Sequence, residues 1–256
     1  MRPLPLSAVV AFQAKSGSSP CFQCAFSYEY SSSPDLSKDP SVNASTQKSG
    51  IPGSAGNIEI AIDTPDVGSA GVQRGVAVIA HPHPLFGGTM DNKVVQTLAR
   101  AFVQSGWTTL RFNFRGVGAS SGSHDAGPGE TDDFLTVVAH GLALTGAPAL
   151  ALAGFSFGAF VTTHAVARLA PQQAIEALVL VGTSVSRAPA APVDAAMHSK
   201  TLVVHGETDD TVLLADVMDW ARPQALPVTV VPGCGHFFHG QLPLLKSLVT
   251  RHLQSV

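Results

Sequence analysis

Charge is scarce in this chain. Fifteen Lys and Arg and 18 Asp and Glu among 256 residues leave a formal net charge of −3. The basic residues are scattered, so no stripe is present that would track a phosphate backbone, and nucleic acid is not an expected partner. Long hydrophobic runs are also missing, and no stretch reaches the length that spans a bilayer, so no membrane is expected either. Cysteine is limited to Cys21, Cys24 and Cys234. Three cysteines build no disulfide framework, which points to a reducing, cytoplasmic setting. Cys21-Phe22-Gln23-Cys24 has no second ligand pair, so chance spacing is the better reading than a metal or redox site. No cofactor is expected.

What is present is 45% hydrophobic residues and 24 glycines, in a length that suits one domain with a sizeable core. The chain divides into two regions. Residues 1–50 are rich in Ser and Pro, show no sustained periodicity and read as a disordered leader. Arg2 and Lys15 precede its first acidic residue, Glu29, so organellar targeting stays open beside plain disorder, as does an over-extended start. Residues 51–256 read as the folded domain. Short apolar runs at 57–62, 75–80, 109–114, 149–153, 177–181, 201–204 and 228–231 predict strands, the first at a sheet edge. Val94, Val95, Leu98, Ala101 and Phe102 share one helical face that Gly106 ends, and further helices are expected after Ala159 and over 244–253. Strands alternating with helices imply an α/β fold with a mostly parallel sheet. Sites in such sheets lie beyond the carboxyl ends of the strands.

Four loops at those ends carry chemistry. Gly154-Phe155-Ser156-Phe157-Gly158 joins an apolar run to a helix-like run. A sharp strand-to-helix turn strains its central residue and crowds the positions two before and two after it, which glycine relieves. It lifts the Ser156 hydroxyl out of the sheet and sets the Phe157 N–H at a helix N-terminus, where it can hold an oxyanion. After the last strand comes Pro232-Gly233-Cys234-Gly235-His236-Phe237-Phe238-His239. An imidazole titrates near neutral pH and can take a proton from Ser and return it to a leaving group. His236 is preferred for this, with His239 assigned to the start of the next helix. His205-Gly206-Glu207-Thr208-Asp209-Asp210 offers carboxylates that could orient the histidine, Asp209 ahead of Asp210. His81-Pro82-His83-Pro84-Leu85-Phe86 follows an earlier strand and is placed to give a second oxyanion donor. Pro84 has no N–H, so Leu85 is the first choice and Phe86 the second. The two histidines have no clustered third ligand, and loop packing suits them better than a metal. Arg115 is expected to pair with one of Glu130, Asp132 and Asp133, with a substrate carboxylate as the alternative.

The order Ser156, Asp209, His236 is that of an α/β-hydrolase, and the chain resembles that superfamily. The resemblance covers residues 53–256. It rests on the elbow, His205-Gly206, Gly235-His236-Phe237-Phe238, and above all the run from His81-Pro82-His83-Pro84 to Met90-Asp91-Asn92-Lys93, with Arg111-Phe112-Asn113-Phe114-Arg115-Gly116. That run is similar to a small family related to dienelactone hydrolases and serine esterases. The resemblance implies an α/β-hydrolase fold and a serine hydrolase of small-molecule esters, with an acyl-enzyme on Ser156. Acyl transfer, peptidase activity and a non-catalytic binding protein remain as alternatives. Phe86, Phe155 and Phe237 are the expected substrate-contacting side chains. The stretch 182–200 is too short for a large helical cap, so an open site is expected. The physiological substrate and the oligomeric state are not read from the sequence.

Overall fold

The computed structural model describes residues 46–65, 74–146 and 149–256. The expected leader and the Cys21–Cys24 pair therefore lie outside the described residues, except for its last five positions. Eight strands form one sheet: β1 (Gln47–Gly53), β2 (Gly56–Asp63), β3 (Gly75–Ala80), β4 (Trp107–Phe112), β5 (Leu150–Phe155), β6 (Ile175–Val181), β7 (Thr201–Gly206) and β8 (Val228–Val231). Their spatial order is β1-β2-β4-β3-β5-β6-β7-β8. β1 and β2 form an antiparallel hairpin, β2 runs antiparallel to β4, and every other pair is parallel. The α-helices among the described residues are α1 (Lys93–Gln104), α2 (Pro128–Thr145), α3 (Phe157–Leu169), α4 (Leu214–Ala221) and α5 (Leu242–Ser255).

The apolar strands are continuous because both faces of the sheet are covered. On β3, Val76, Val78 and Ala80 join one core with residues of α2, α3 and α4. Ala77 and Ile79 join the opposite core with α1 and α5. This is the period-2 alternation of a strand between two layers of helices.

The structure moves the sheet edge. The strand expected there, β2, is the second strand in, and β1 lies outside it. β1 begins at Gln47, four residues before the expected domain boundary, and its first four residues are exposed. An outer strand needs no apolar stripe, so the sequence around Gln47 carries no hydrophobic signal for it. α2 also had no expectation. Its start is built by Pro128 and by Glu130, whose carboxylate accepts the Asp125 and Gly127 amides, each at 2.8 Å. No helix among the described residues is long and apolar enough to cross a membrane.

Candidate functional site

Ser156 sits between β5 and α3 with φ 58° and ψ −118°. Such a conformation costs a non-glycine residue on the order of 1–3 kcal/mol and persists only where its surroundings fix it. Here the Ser156 amide donates to the Val181 carbonyl at 2.8 Å, while the Ser156 carbonyl accepts from Phe160 at 3.1 Å and Ser184 at 3.2 Å. The flanking glycines are required by close backbone approach. A Cβ on Gly154 would stand 2.4 Å from the Gly158 oxygen, and one on Gly158 would stand 2.5 Å from the oxygens of Ala80 and His81. The second contact also presses the start of α3 against the loop that follows β3.

The loop after β8 delivers His236. Its Nε2 lies 3.0 Å from Ser156 Oγ, and its Nδ1 lies 2.7 Å from Asp209 Oδ2. All three side chains are buried. Asp209 Oδ1 accepts the Thr211 and Val212 amides at 2.9 and 2.8 Å. Burial pushes the Asp209 carboxyl up, but the bonds from His236, Val212 and Thr211 outweigh it and hold the group below its ordinary range. The geometry decides between the two aspartates, because Asp210 is exposed and meets only the Thr211 hydroxyl. His236 is packed between Phe155 and Phe237, with ring centroids 4.9 and 5.1 Å away. Gly182, with φ 53°, leaves room for the imidazole, since a Cβ there would come within 3.2 Å of His236 Cε1. The His236 and Asp209 loops are joined by the Gly233 amide, which donates to the Glu207 carboxylate at 2.8 Å.

Other expected residues take different places. Phe155 is fully buried as the last residue of β5, on the α1 and α5 side of the sheet, and supports His236 from beneath. It does not line the cavity. Phe86 and Phe237 do line it, together with Ser156 and His236, and the space is about 270 Å³. His239 does not cap α5, whose N-cap is Gln241 without a side-chain bond. Arg115 closes on Asp133 through two 2.9 Å bonds.

The Leu85 amide is already engaged. Pro84–Phe86 winds into a 3₁₀ turn that consumes its own donors. Leu85 N–H donates to His83 Nδ1 at 3.3 Å, and the Phe86 and Gly88 amides both donate to the His83 carbonyl at 3.1 Å. Gly87 donates to the Pro84 carbonyl at 3.2 Å, and Pro84 has no N–H. From His83 to Gly88, the amide left without a protein acceptor among the described residues is that of His83. Its ring lies 4.9 Å from that of Phe157, and His83 lines the Ser156 cavity. The expected loop does border the Ser156 cavity; the turn inside it was not readable from residue types.

His81 is fully buried, with Nε2 accepting the Phe114 amide at 3.0 Å and Nδ1 2.6 Å from the Pro82 carbonyl. Both nitrogens are thus spent on fixing the loop.

A sheet of this topology, with an elbow serine after β5 and a histidine after β8, defines the α/β-hydrolase class. Comparison with known proteins agrees. The α/β-hydrolase fold family model matches residues 83–199. An α/β serine hydrolase without lid from Xanthomonas campestris is 35% identical, with a TM-score of 0.74, and the match covers 82% of this chain and 94% of that one. An α/β serine hydrolase homologue from Coxiella burnetii is also 35% identical, with a TM-score of 0.67, over 81% of this chain and 97% of that one. An uncharacterised protein of Rickettsia prowazekii is 43% identical over 100 residues, a match spanning 36% of this chain and 40% of that protein. The chain belongs to the α/β-hydrolase family. Among the described residues, the link between β6 and β7 forms only a 3₁₀ segment, Ala195–Lys200, and no lid domain.

Proposed function

We propose that the protein is a serine carboxylesterase, of the dienelactone hydrolase-like group, acting on small-molecule esters. The observation that carries this reading is the unbroken relay from Ser156 through His236 to Asp209, at 3.0 and 2.7 Å. Ser156 Oγ attacks the acyl carbon as His236 Nε2 takes its proton. Asp209 orients the imidazole and stabilises its charged form. The new Oγ–carbon bond gives a tetrahedral oxyanion, held by the Phe157 and His83 amides, with His83 replacing Leu85 in that role. Its collapse breaks the ester C–O bond, and His236 returns the proton to the departing alcohol. Water then attacks the acyl-enzyme by the same route, releasing the acid and restoring Ser156. The absence of a lid between β6 and β7 supports access for small esters from solvent.

A fluorophosphonate probe tests this directly. Wild type is expected to be labelled on Ser156 and to hydrolyse p-nitrophenyl butyrate, while Ser156→Ala does neither. Equal labelling of the two, or no labelling of wild type, overturns the reading.

A further inference from the structure

Arg187 is an exposed residue at the mouth of the site, and among the described residues no carboxylate pairs with it. It comes from the short link between β6 and β7, and its guanidinium lies over the Phe86 ring, 4.8 Å from the centroid. It borders the Ser156 cavity and also a second space of about 160 Å³ walled by Phe157 and Phe160. Arg111 and Arg115 make the contrast: each is closed on an aspartate, Asp63 at 3.0 Å and Asp133 at 2.9 Å. Among the described residues, no acidic residue lines either cavity. The ionisable groups there besides Arg187 are imidazoles, those of His83, His124 and His236. Glu130 stands 2.9 Å from His124 Nδ1, but it is fully buried and its oxygens already accept the Asp125 and Gly127 amides. The His83 imidazole is held below its ordinary value by burial first, and then by the neighbouring His124 and Arg187, with Glu130 opposing. Arg187 is therefore the one permanent cation among the described residues that line the two cavities.

A guanidinium has a planar fork of donors that matches an oxyanion in bidentate fashion. The Phe86 ring beneath it, 4.8 Å away, restricts where that fork can point, so less order has to be imposed when an anion arrives. Resting on the ester hydrolase reading above, we propose that the substrate is an ester that also bears an anionic group, a carboxylate or an oxyanion of like geometry, and that Arg187 binds this group while Ser156 attacks the ester carbon. Arg187 is then a specificity-determining residue, and the role once open to Arg115 falls to a different arginine.

Matched ester pairs test the proposal. The first is mono-p-nitrophenyl adipate against p-nitrophenyl hexanoate, which places the charge on the acyl side. The second is the acetate ester of p-hydroxybenzoate against that of p-cresol, which places it on the alcohol side. In at least one pair, the ratio of kcat/KM for the anionic ester to that for the neutral ester is expected to fall tenfold or more in Arg187→Gln. It should recover in part in Arg187→Lys and invert in Arg187→Glu. Arg251→Gln, an exposed arginine on α5, controls for net charge and should leave both ratios within about twofold. The pair that responds identifies the side carrying the charge. Equal loss on anionic and neutral esters, or ratios unmoved by Arg187→Gln in both pairs, overturns the proposal. Loss of Ser156 labelling by the fluorophosphonate in wild type would instead overturn the hydrolase reading on which it rests.

Discussion

Asp209 and Asp210 are neighbours in sequence and opposites in setting. Asp209 accepts two backbone amides and faces the His236 ring, whereas Asp210 points to solvent. Asp209→Asn keeps the shape but lets the amide present a donor to Nδ1, which favours the wrong tautomer. On the proposed mechanism, kcat should fall by a factor on the order of 10³–10⁴, while Asp210→Asn stays within about twofold; steady-state kinetics on one ester checks both. That Ser156, His236 and Asp209 would meet was legible, because each stands in a strand-end loop of recognisable residue types. The free amide in the loop after β3 was not. Whether Leu85 or His83 has a free amide depends on how a 3₁₀ turn spends its hydrogen bonds, and residue identity does not encode that. Phe155 was placed in the wrong role for a related reason. It precedes the nucleophile, but strand alternation turns its ring away from the cavity and under the histidine.

The elements differ in how visible they are beforehand. α1 announces itself through its apolar face and its Asn92 cap, whose side chain accepts the Val94 amide at 2.9 Å. β3 and β5 are continuous apolar runs, and both lie where expected to within two residues. α2 escaped because its buried face is interrupted by Thr131, Asp133 and Gly141. Its start depends on one side chain. Glu130 satisfies the buried Gly127 amide at the helix N-cap and the Asp125 amide just before it. Glu130→Ala should therefore lower the unfolding free energy by about 2–3 kcal/mol, measured by urea denaturation, with Glu130→Gln recovering part of it through its remaining acceptor.

For the molecule as a whole, acid is the expected weakness. The His81 pKa is pushed down from 6.5 to about 4, by burial first, with the Pro82 carbonyl opposing. The unfolded chain takes up this proton at higher pH than the folded one, so stability is full above the unfolded value and is lost as pH falls from 6.5 toward 4. The shift corresponds to about 3 kcal/mol for this group alone. His205 and His252, also lowered mainly by burial, act in the same direction. Urea midpoints measured across that interval should drop steadily for wild type, and His81→Asn should flatten the slope. An unchanged slope in that variant would show that the loss arises elsewhere.

β1 has a consequence of a different kind. Gln47–Gly50 pair with Glu59–Ile62 and occupy the outward backbone groups of β2. β1 itself carries Lys48 and Pro52, and makes a poor template for a foreign strand. A shortened protein starting at the expected boundary, Ile51, would lose this cover and offer half of β2 as a sticky seam to its own copies. Any truncation of this chain should therefore keep Thr46, whose hydroxyl binds Asp63, and the four residues after it, which shield the seam.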